Sequence, residues 1–219
     1  DLQACNYDEN ADIDDNSCDY SCYGCTDSNA NNYDSSATLD NDLCCYLEID
    51  AETSSPLCYG GAGTIEAFAT NNSPASYPVV YSLGGGFANE TGLFDVGVGI
   101  YTVYAEMIDS IIDLTGCVSS TNVIITQPDE LNLIASASEA SILGNAQGTA
   151  NAEGGTGEIQ YMWYDENDGT IANPESLEEG EYVVTATDEH GCLDSTSVTV
   201  IWNSSQEIYS SNFNLFPNP

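Results

Sequence analysis

A pair of strand-like segments joined by a polar turn occurs twice in this sequence, and this repeat limits the folds open to the chain. The later copy runs from Glu179 to Val200 and the earlier one from Gly97 to Thr126. In both copies, runs of alternating β-forming residues flank a turn that ends in Gly-Cys, at Cys117 and Cys192. This alternation is typical of an antiparallel hairpin with one buried face. A hairpin alone is marginal in water, so each copy requires further strands.

The same alternation assigns side chains to faces of the hairpin. We expect Tyr182, Val184 and Ala186 on one side of the later copy, because successive strand residues point to opposite faces. A matching strand pattern lies upstream in both halves, where Tyr81 corresponds to Tyr161. The repeats therefore predict two tandem β-domains of roughly 80 residues, a size typical of small β-sandwiches.

The expected domain boundaries follow from these repeats. The first β-domain spans residues 47–127 and the second spans 128–202. The junction is placed at the Gln127-Pro128 step because proline donates no strand hydrogen bond and suits a strand end. Residues 1–46 form a Cys- and Asp-rich segment before the domains, and residues 203–219 form a polar tail after them.

The sequence contains no Lys and no Arg, while 36 acidic residues give a formal net charge of −36. Nucleic acid and anionic membrane surfaces are excluded as partners, because both require basic side chains. Unpaired carboxylates repel one another, which favours a bound divalent cation. Since trypsin-like proteases cut after basic residues, avoidance of such cleavage is one hypothesis for the missing Lys and Arg.

Enzymatic chemistry is largely excluded by the same absence, and we expect no catalytic residues. Without Lys there is no Schiff base, and without Arg there is no planar fork for phosphate or carboxylate. The single imidazole, His190, lies in a turn sequence and is interpreted as a turn residue rather than a general base. Paired carboxylates for glycoside hydrolysis are not excluded by counting, but no groove-forming insertion is evident.

Most of the 9 cysteines precede residue 46. Such density in a segment without a hydrophobic pattern predicts a disulfide framework and an oxidising, extracellular compartment. No signal peptide and no apolar run of membrane-spanning length occurs in the sequence, so direct membrane insertion is not expected. Because the chain begins inside a repeat, we expect it to be a piece of a longer protein.

Residues 1–46 contain two copies of a shorter repeat, in which Asp and Asn recur at close intervals between cysteines. Oxygen-rich loops held by disulfides are typical of small extracellular modules that bind calcium, which takes six to eight oxygen ligands. The alternative is that these acids are solvated turn residues. Zinc fits less well because the segment has no His and oxidised cysteines cannot ligate. The candidate calcium ligands are Asp8, Asp14, Asp15, Asp34, Asp40 and Asp42.

The stretches ACNYDENADIDDNSCDY and GCTDSNANNYDSSATLDNDLCCY resemble units of secreted Bacteroidetes proteins that are similar to thrombospondin type 3 calcium repeats. Asn16 and Asp42 stand where that pattern has glycine. The resemblance implies a disulfide between Cys25 and Cys44, and a partner for Cys18 upstream of residue 1. The partners of the remaining cysteines of the segment stay open; these are Cys5, Cys22 and Cys45.

The stretches GGTGEIQYMWYDENDGT and LEEGEYVVTATDEHGC resemble the gliding-adhesin (SprB-type) repeat of Bacteroidetes, which is similar to polycystic-kidney-disease and immunoglobulin-like sandwiches. The resemblance implies a disulfide between Cys58, in LCYGGAG, and Cys117. The second domain has no cysteine at the place of Cys58. Cys192 is therefore expected to be a buried thiol or, alternatively, part of an intermolecular bridge.

Two short motifs concern export and modification. The last residues, Asn214 to Pro219, resemble the start of a type IX secretion sorting domain. Asp109-Ser110-Ile111 and Asp194-Ser195-Thr196 resemble the Bacteroidetes O-glycosylation signal, which implies glycans on Ser110 and Ser195.

The sequence thus predicts an all-β fold of tandem Ig/PKD-like β-sandwiches preceded by a small disulfide-rich, calcium-binding-type segment. We expect a non-catalytic structural or adhesive protein of the outer cell surface. Its expected partners are other copies, other surface proteins or carbohydrate. One alternative is an accessory stalk of a secreted hydrolase. Another is a carbohydrate-binding module that uses Tyr161, Trp163 and Tyr164, although the alternation favours core packing for Tyr161 and Trp163.

Overall fold

The computed structural model describes residues 2–10, 13, 16–84, 88–109, 114, 116–141 and 145–203 of the 219-residue chain. Within these ranges the chain forms strands and turns without a helix, which confirms the all-β prediction. No helix of the described part is long and apolar enough to cross a membrane. The chain divides into two compact units, Asp1–Ser55 with Ala62–Thr126 and Pro56–Gly61 with Gln127–Pro219.

The first unit contains a β-sandwich of seven antiparallel strands. One sheet has the order β3-β4-β7 and the other has the order β6-β5-β8-β9. Ile65 on β4 packs in one buried cluster with Val103 on β8 and Ile125 on β9, so the core lies between the two sheets. The strands are β3 (Leu47–Ser54), β4 (Gly63–Asn71), β5 (Val79–Ser82), β6 (Ala88–Asn89), β7 (Leu93–Val96), β8 (Gly99–Met107) and β9 (Val118–Ile125).

The N-terminal segment belongs to this first unit rather than forming a compact unit of its own. Its only strands in the described residues are β1 (Tyr23–Gly24) and β2 (Leu39–Asp40), which pair in parallel. The Asn31 side chain joins the segment to the sandwich, because its Oδ1 accepts the Leu47 N–H at 2.6 Å and its Nδ2 donates to Leu47 O at 3.1 Å. A short polar segment without its own core is thus stabilised by the neighbouring sheets.

The second unit repeats the sandwich with five strands. A two-stranded sheet, β10-β11, faces a three-stranded sheet, β12-β13-β14. Leu133, Trp163, Val184 and Val198 from these strands share one buried cluster. The strands are β10 (Asn132–Ala137), β11 (Gly148–Glu153), β12 (Gln160–Asp165), β13 (Gly180–Thr187) and β14 (Leu193–Val200).

The predicted hairpins are present in both units. β8 pairs with β9, and β13 pairs with β14, each in antiparallel register. Tyr182, Val184 and Ala186 are all buried, at 5%, 0% and 0% exposure, which confirms their assignment to one inward face. The alternation of residues along the strand is sufficient for this prediction, because only one register of a strand with one buried face hides its apolar side chains.

Two tyrosine hydrogen bonds also recur in both units. The hydroxyl of Tyr101 donates to Gly97 O at 3.0 Å, and that of Tyr182 donates to Glu178 O at 3.1 Å, four residues upstream in each case. Each bond fixes the turn into the hairpin, as in the tyrosine corner of immunoglobulin-like sandwiches.

The second repeated tyrosine bond crosses between the two sheets of a sandwich. The Tyr81 hydroxyl accepts the Ala69 N–H at 3.1 Å, and the Tyr161 hydroxyl accepts the Ala152 N–H at 2.9 Å. The sequence repeat therefore extends to individual hydrogen bonds within each core.

Candidate functional site

Disulfides are the most extensive chemical feature of the described chain. The Cys25–Cys44 bridge confirms the pairing that the resemblance implied. Cys5 and Cys22, whose partners the sequence left open, bond to each other. The full set of bridges is Cys5–Cys22, Cys25–Cys44, Cys45–Cys117 and Cys58–Cys192.

The expected bridge between Cys58 and Cys117 is wrong, since Cys117 bonds to Cys45. The cause is the direction of β3 relative to β9. The Asn31 amide donates both to Leu47 O and to Val118 O, at 3.1 and 3.2 Å, so the two strands begin side by side. At their other ends, the hydroxyls of Ser55 and Thr126 lie 3.4 Å apart.

Cys58 therefore follows the far end of β3, whereas Cys117 precedes the near end of β9. β3 is 8 residues long, which corresponds to about 26 Å of extended chain. A disulfide requires its two Cα atoms to lie within about 7 Å. Cys45, which directly precedes β3, meets this condition with a Cα–Cα distance of 5.9 Å to Cys117.

Cys58 instead bonds to Cys192, with their Cα atoms 5.5 Å apart. This corrects both expectations for Cys192, since it is neither a buried thiol nor part of an intermolecular bridge. The connection between β3 and β4, Pro56–Gly61, belongs to the second unit. There the Gly60 N–H donates to Gln127 Oε1 at 2.8 Å. A sequence-based boundary at residue 127 could not separate these six residues from the strands that flank them.

The acidic residues of the N-terminal segment close local turns. Asp8 Oδ1 accepts the Asn10 N–H at 2.8 Å, and Asp34 Oδ1 accepts the Ser36 N–H at the same distance. The backbone donation from Asn10 holds the pKa of Asp8 below its usual value. The Ser36 hydroxyl and N–H do the same for the pKa of Asp34. A side-chain bond to the backbone N–H two residues later is typical of Asp in turns.

Asp40 closes a further turn in the second repeat. Its Oδ1 accepts the Asp42 N–H at 2.8 Å, and its Oδ2 accepts the Thr26 hydroxyl at 3.0 Å. Asp42 and Asn16, which replace glycine in the pattern, have φ angles of 58° and 61°. Both retain the left-handed backbone that glycine favours, and Asn and Asp tolerate it better than most residues.

The described residues alone do not assemble a calcium site from side chains. No three His, Cys, Asp or Glu side chains of the described ranges come together in a group that could hold a metal ion. Asp8, Asp34 and Asp40 close three separate turns, with Asp42 in the turn of Asp40, while Asp14 and Asp15 lie outside the described residues. Calcium binding by the segment thus stays a prediction.

Sequence reasoning missed an acid–phenol pair in the same segment. Tyr46 Oη donates to Asp27 Oδ2 at 2.5 Å. This bond lowers the pKa of Asp27 and raises the pKa of Tyr46. The available signal was the tyrosine that ends each repeat, at Tyr20 and Tyr46.

The buried polar residue of the second unit is Asp188, with 5% exposure. Its Oδ1 accepts the N–H groups of His190 and Cys192, each at 2.9 Å, and its Oδ2 accepts the Thr156 N–H at 2.8 Å. Burial opposes ionisation, but these three donors outweigh it, so the pKa of Asp188 is lowered. Sequence reasoning considered His190 in this turn but not Asp188, two residues earlier. The available signal was the position of Asp188 in the turn that ends in Gly191-Cys192.

A cleft of about 310 Å³ in the second unit adjoins the Cys58–Cys192 bridge. Its lining includes the acids Asp129, Glu130 and Asp194. Asp194 Oδ2 accepts the Leu133 N–H at 2.7 Å, which ties β14 to β10. This carboxylate therefore has a structural role in the sandwich.

The aromatic residues of the carbohydrate-binding alternative differ in their exposure. Trp163 is 4% exposed and packs in the core, so its ring is not available to stack on a sugar. Tyr161 is 38% exposed, so the core packing expected for it is wrong, and its hydroxyl accepts the Ala152 N–H. Ser195, proposed to carry a glycan, is exposed on β14, while Ser110 lies outside the described residues. Glycosylation of either serine stays a prediction.

No protein-family model matches the sequence, and no curated protein matches it. Among solved structures, the chain is similar to an amphioxus IgVJ-C2 molecule, with 15% identity and a TM-score of 0.29 over 66% of this chain and 98% of that one. It is similar to the four N-terminal Ig domains of Dscam1 (isoform 4.44), with 14% identity and a TM-score of 0.26 over 70% of this chain. It is also similar to the mouse nectin-like molecule 4 ectodomain, with 13% identity and a TM-score of 0.27 over 73% of this chain.

The chain covers 47% of the Dscam1 fragment and 65% of the nectin-like ectodomain. At these identities the similarity concerns the β-sandwich fold alone.

Proposed function

We propose that this chain is a non-catalytic, extracellular structural or adhesive segment of a surface protein. The observation that carries the proposal is the set of four disulfides, of which three lie within the first compact unit and one lies within the second. Disulfides of this density persist in oxidising compartments, outside the reducing cytosol. Small β-sandwiches with short N-terminal modules are stabilised by such crosslinks when they must remain folded outside the cell.

The use of the polar residues supports a role without catalysis. The carboxylate of Asp188 accepts three backbone N–H groups and so holds a turn in place. Asp194 and Asp34 are likewise engaged with backbone donors. Carboxylates that accept backbone N–H groups in this way hold the chain in place, which is a structural use of these acids.

The charge of the chain favours particular partners. With a net charge of −36 and no basic side chain, two copies attract each other only through apolar contacts, hydrogen bonds or a bridging cation. We propose other surface proteins or further copies as partners, and calcium as the ion that lowers the repulsion. Export by the type IX route is part of the same proposal and rests on the resemblance of residues 214–219, which lie outside the described ranges.

A binding experiment distinguishes this proposal from its rivals. Beads coated with the purified chain are mixed with uncoated beads, with or without calcium, and aggregation is scored. In parallel the chain is titrated against a panel of soluble polysaccharides and assayed for their hydrolysis. Saturable polysaccharide binding that is lost in Tyr164→Ala, or any polysaccharide cleavage, would reject the proposal in favour of a carbohydrate-active role.

A further inference from the structure

The disulfides close most of the chain into covalent loops. The bridged residues are separated by 17 residues at Cys5–Cys22, 19 at Cys25–Cys44 and 134 at Cys58–Cys192. The largest loop contains every strand from β4 to β13. Of the twelve sandwich strands that the described residues form, only β3 and β14 lie outside it.

We propose that this segment is a tension-bearing tether in which the Cys58–Cys192 bridge carries a pulling force past both sandwiches. The inference rests on the structural role proposed above and specifies it. A force applied to the two ends of the chain follows the shortest covalent route between them. That route takes the backbone through residues 1–5, 22–25, 44–58 and 192–219 and crosses a disulfide between successive stretches.

The two strands on this route suit it because they are already extended. β3 and β14 are 8 residues each, and an extended strand has almost no further length to release. Each is loaded at both of its ends, along its own axis, so the load does not peel it away from its neighbours. The other ten strands of the sandwiches carry no tension, and each core remains folded while the chain is pulled.

The remaining bridge, Cys45–Cys117, lies beside the route. One route from Cys45 follows the backbone to Cys58 and crosses to Cys192. The other route crosses to Cys117 and follows the backbone to Cys192, which is much longer, so the force does not take it. It would carry force only if Cys58–Cys192 were absent. The route would then pass through β9 and draw out the second unit from residue 127 to Cys192. The two long-range disulfides thus have different mechanical roles, which provides a matched control.

The expected lengths follow from about 3.4 Å per extended residue. With all bridges intact the route holds about 50 residues, or about 170 Å at full extension. Removal of Cys58–Cys192 lengthens it to about 110 residues, which is about 210 Å more. Removal of Cys45–Cys117 leaves it unchanged. Complete reduction releases the whole 219-residue chain, about 740 Å.

Single-molecule force spectroscopy on the full oxidised chain, with a handle at each end, measures these lengths. The variants are C58A/C192A and, as the control, C45A/C117A, each checked for folding by far-UV circular dichroism. We expect the wild type and the control variant to reach the same final length, with C58A/C192A about 210 Å longer. If C58A/C192A does not fold, the wild type before and after reduction in the same instrument supplies the comparison, with about 170 residues released on reduction.

Two results would overturn the tether. One is an oxidised wild type that extends as far as C58A/C192A. The other is lengthening of the C45A/C117A control, which would show that the force does not pass through β3. Both differ from failure of the proposed function, since polysaccharide binding or cleavage would reject a structural role without altering the force traces.

Discussion

Replacement of Gly154 by alanine tests the packing at the corner of the second unit where the buried Asp188 lies. Gly154 directly follows β11 and has a φ of +80°, a left-handed conformation that disfavours other residues. A Cβ atom at this position would lie 1.9 Å from Glu130 O and 2.8 Å from Glu130 C. Gly169 provides a matched control, since its φ is +71° and a Cβ atom added there would have no atom of the described residues within 4 Å.

The difference between the two substitutions isolates the steric contact from the backbone strain. Gly169→Ala is expected to cost about 1–2 kcal/mol, the penalty of a left-handed conformation for a residue with a Cβ. In Gly154→Ala, the Glu130 carbonyl must also move by about 1.5 Å to restore an ordinary contact. This movement disrupts the Gly155 N–H···Asp129 O bond of 3.0 Å and the first pair of β10 with β11, each worth about 1 kcal/mol. We expect a total of about 3–4 kcal/mol.

Urea unfolding followed by tryptophan fluorescence measures both costs, because the buried Trp163 reports on the core of the second unit. With an m-value of about 1 kcal/mol/M, the midpoint should fall by about 1–2 M for Gly169→Ala and by about 3–4 M for Gly154→Ala. Equal midpoints for the two variants would refute the argument, since they would mean that the Glu130 carbonyl does not approach Gly154 in the folded protein.

Three further outcomes are expected. Excess chelator should lower the melting temperature of the first unit if its acidic turns bind calcium, because an ion bound only by the folded state stabilises it; an unchanged curve would reject calcium. Asp188→Asn should destabilise the second unit at neutral pH, and the difference from wild type should shrink as pH falls below about 4, because a carboxyl with a lowered folded pKa loses its contribution when it is protonated; a pH-independent difference would contradict this. Mass spectrometry of the unreduced chain, digested after acidic residues, should recover Cys58 linked to Cys192; a peptide with free Cys58 would remove the basis of the tether.

The parts of the fold that could be predicted from sequence are those fixed by local patterns. Alternation over a few residues placed Tyr182 and Val184 inward, because a strand with one buried face has only one register that hides its apolar side chains. The Cys25–Cys44 bridge was implied by the resemblance of the N-terminal segment to calcium repeats, and it closes a 19-residue loop inside one short repeat.

The parts that could not be predicted depend on how distant strands are arranged. The partner of Cys117 is decided by β3 and β9 running side by side in the same direction, and no local pattern contains that information. The burial of Asp188 depends in the same way on Thr156, 32 residues earlier, which supplies one of its three donors. The sequence identified the acidic turns of the N-terminal segment. Whether they form an ion site depends on the distances between turns in the folded chain, which residue spacing in the sequence does not determine.

The two Gly-Cys turns show how one repeated residue acquires two roles. Cys117 and Cys192 occupy matching places before β9 and β14, yet Cys117 bonds to the residue that precedes its own sandwich and Cys192 bonds into the connection between β3 and β4. In each case the bridge joins the start of the last strand to a cysteine from earlier in the chain. A further bridge like Cys58–Cys192 would require a second cysteine in the second sandwich. For the present bridge, Cys58 supplies such a cysteine from the connection between β3 and β4, which belongs to the second unit, whereas residues 128–202 contain Cys192 alone. A module that followed the second sandwich could therefore not be joined to it by the same bridge, and a pulling force would pass to that module through the backbone after β14 only.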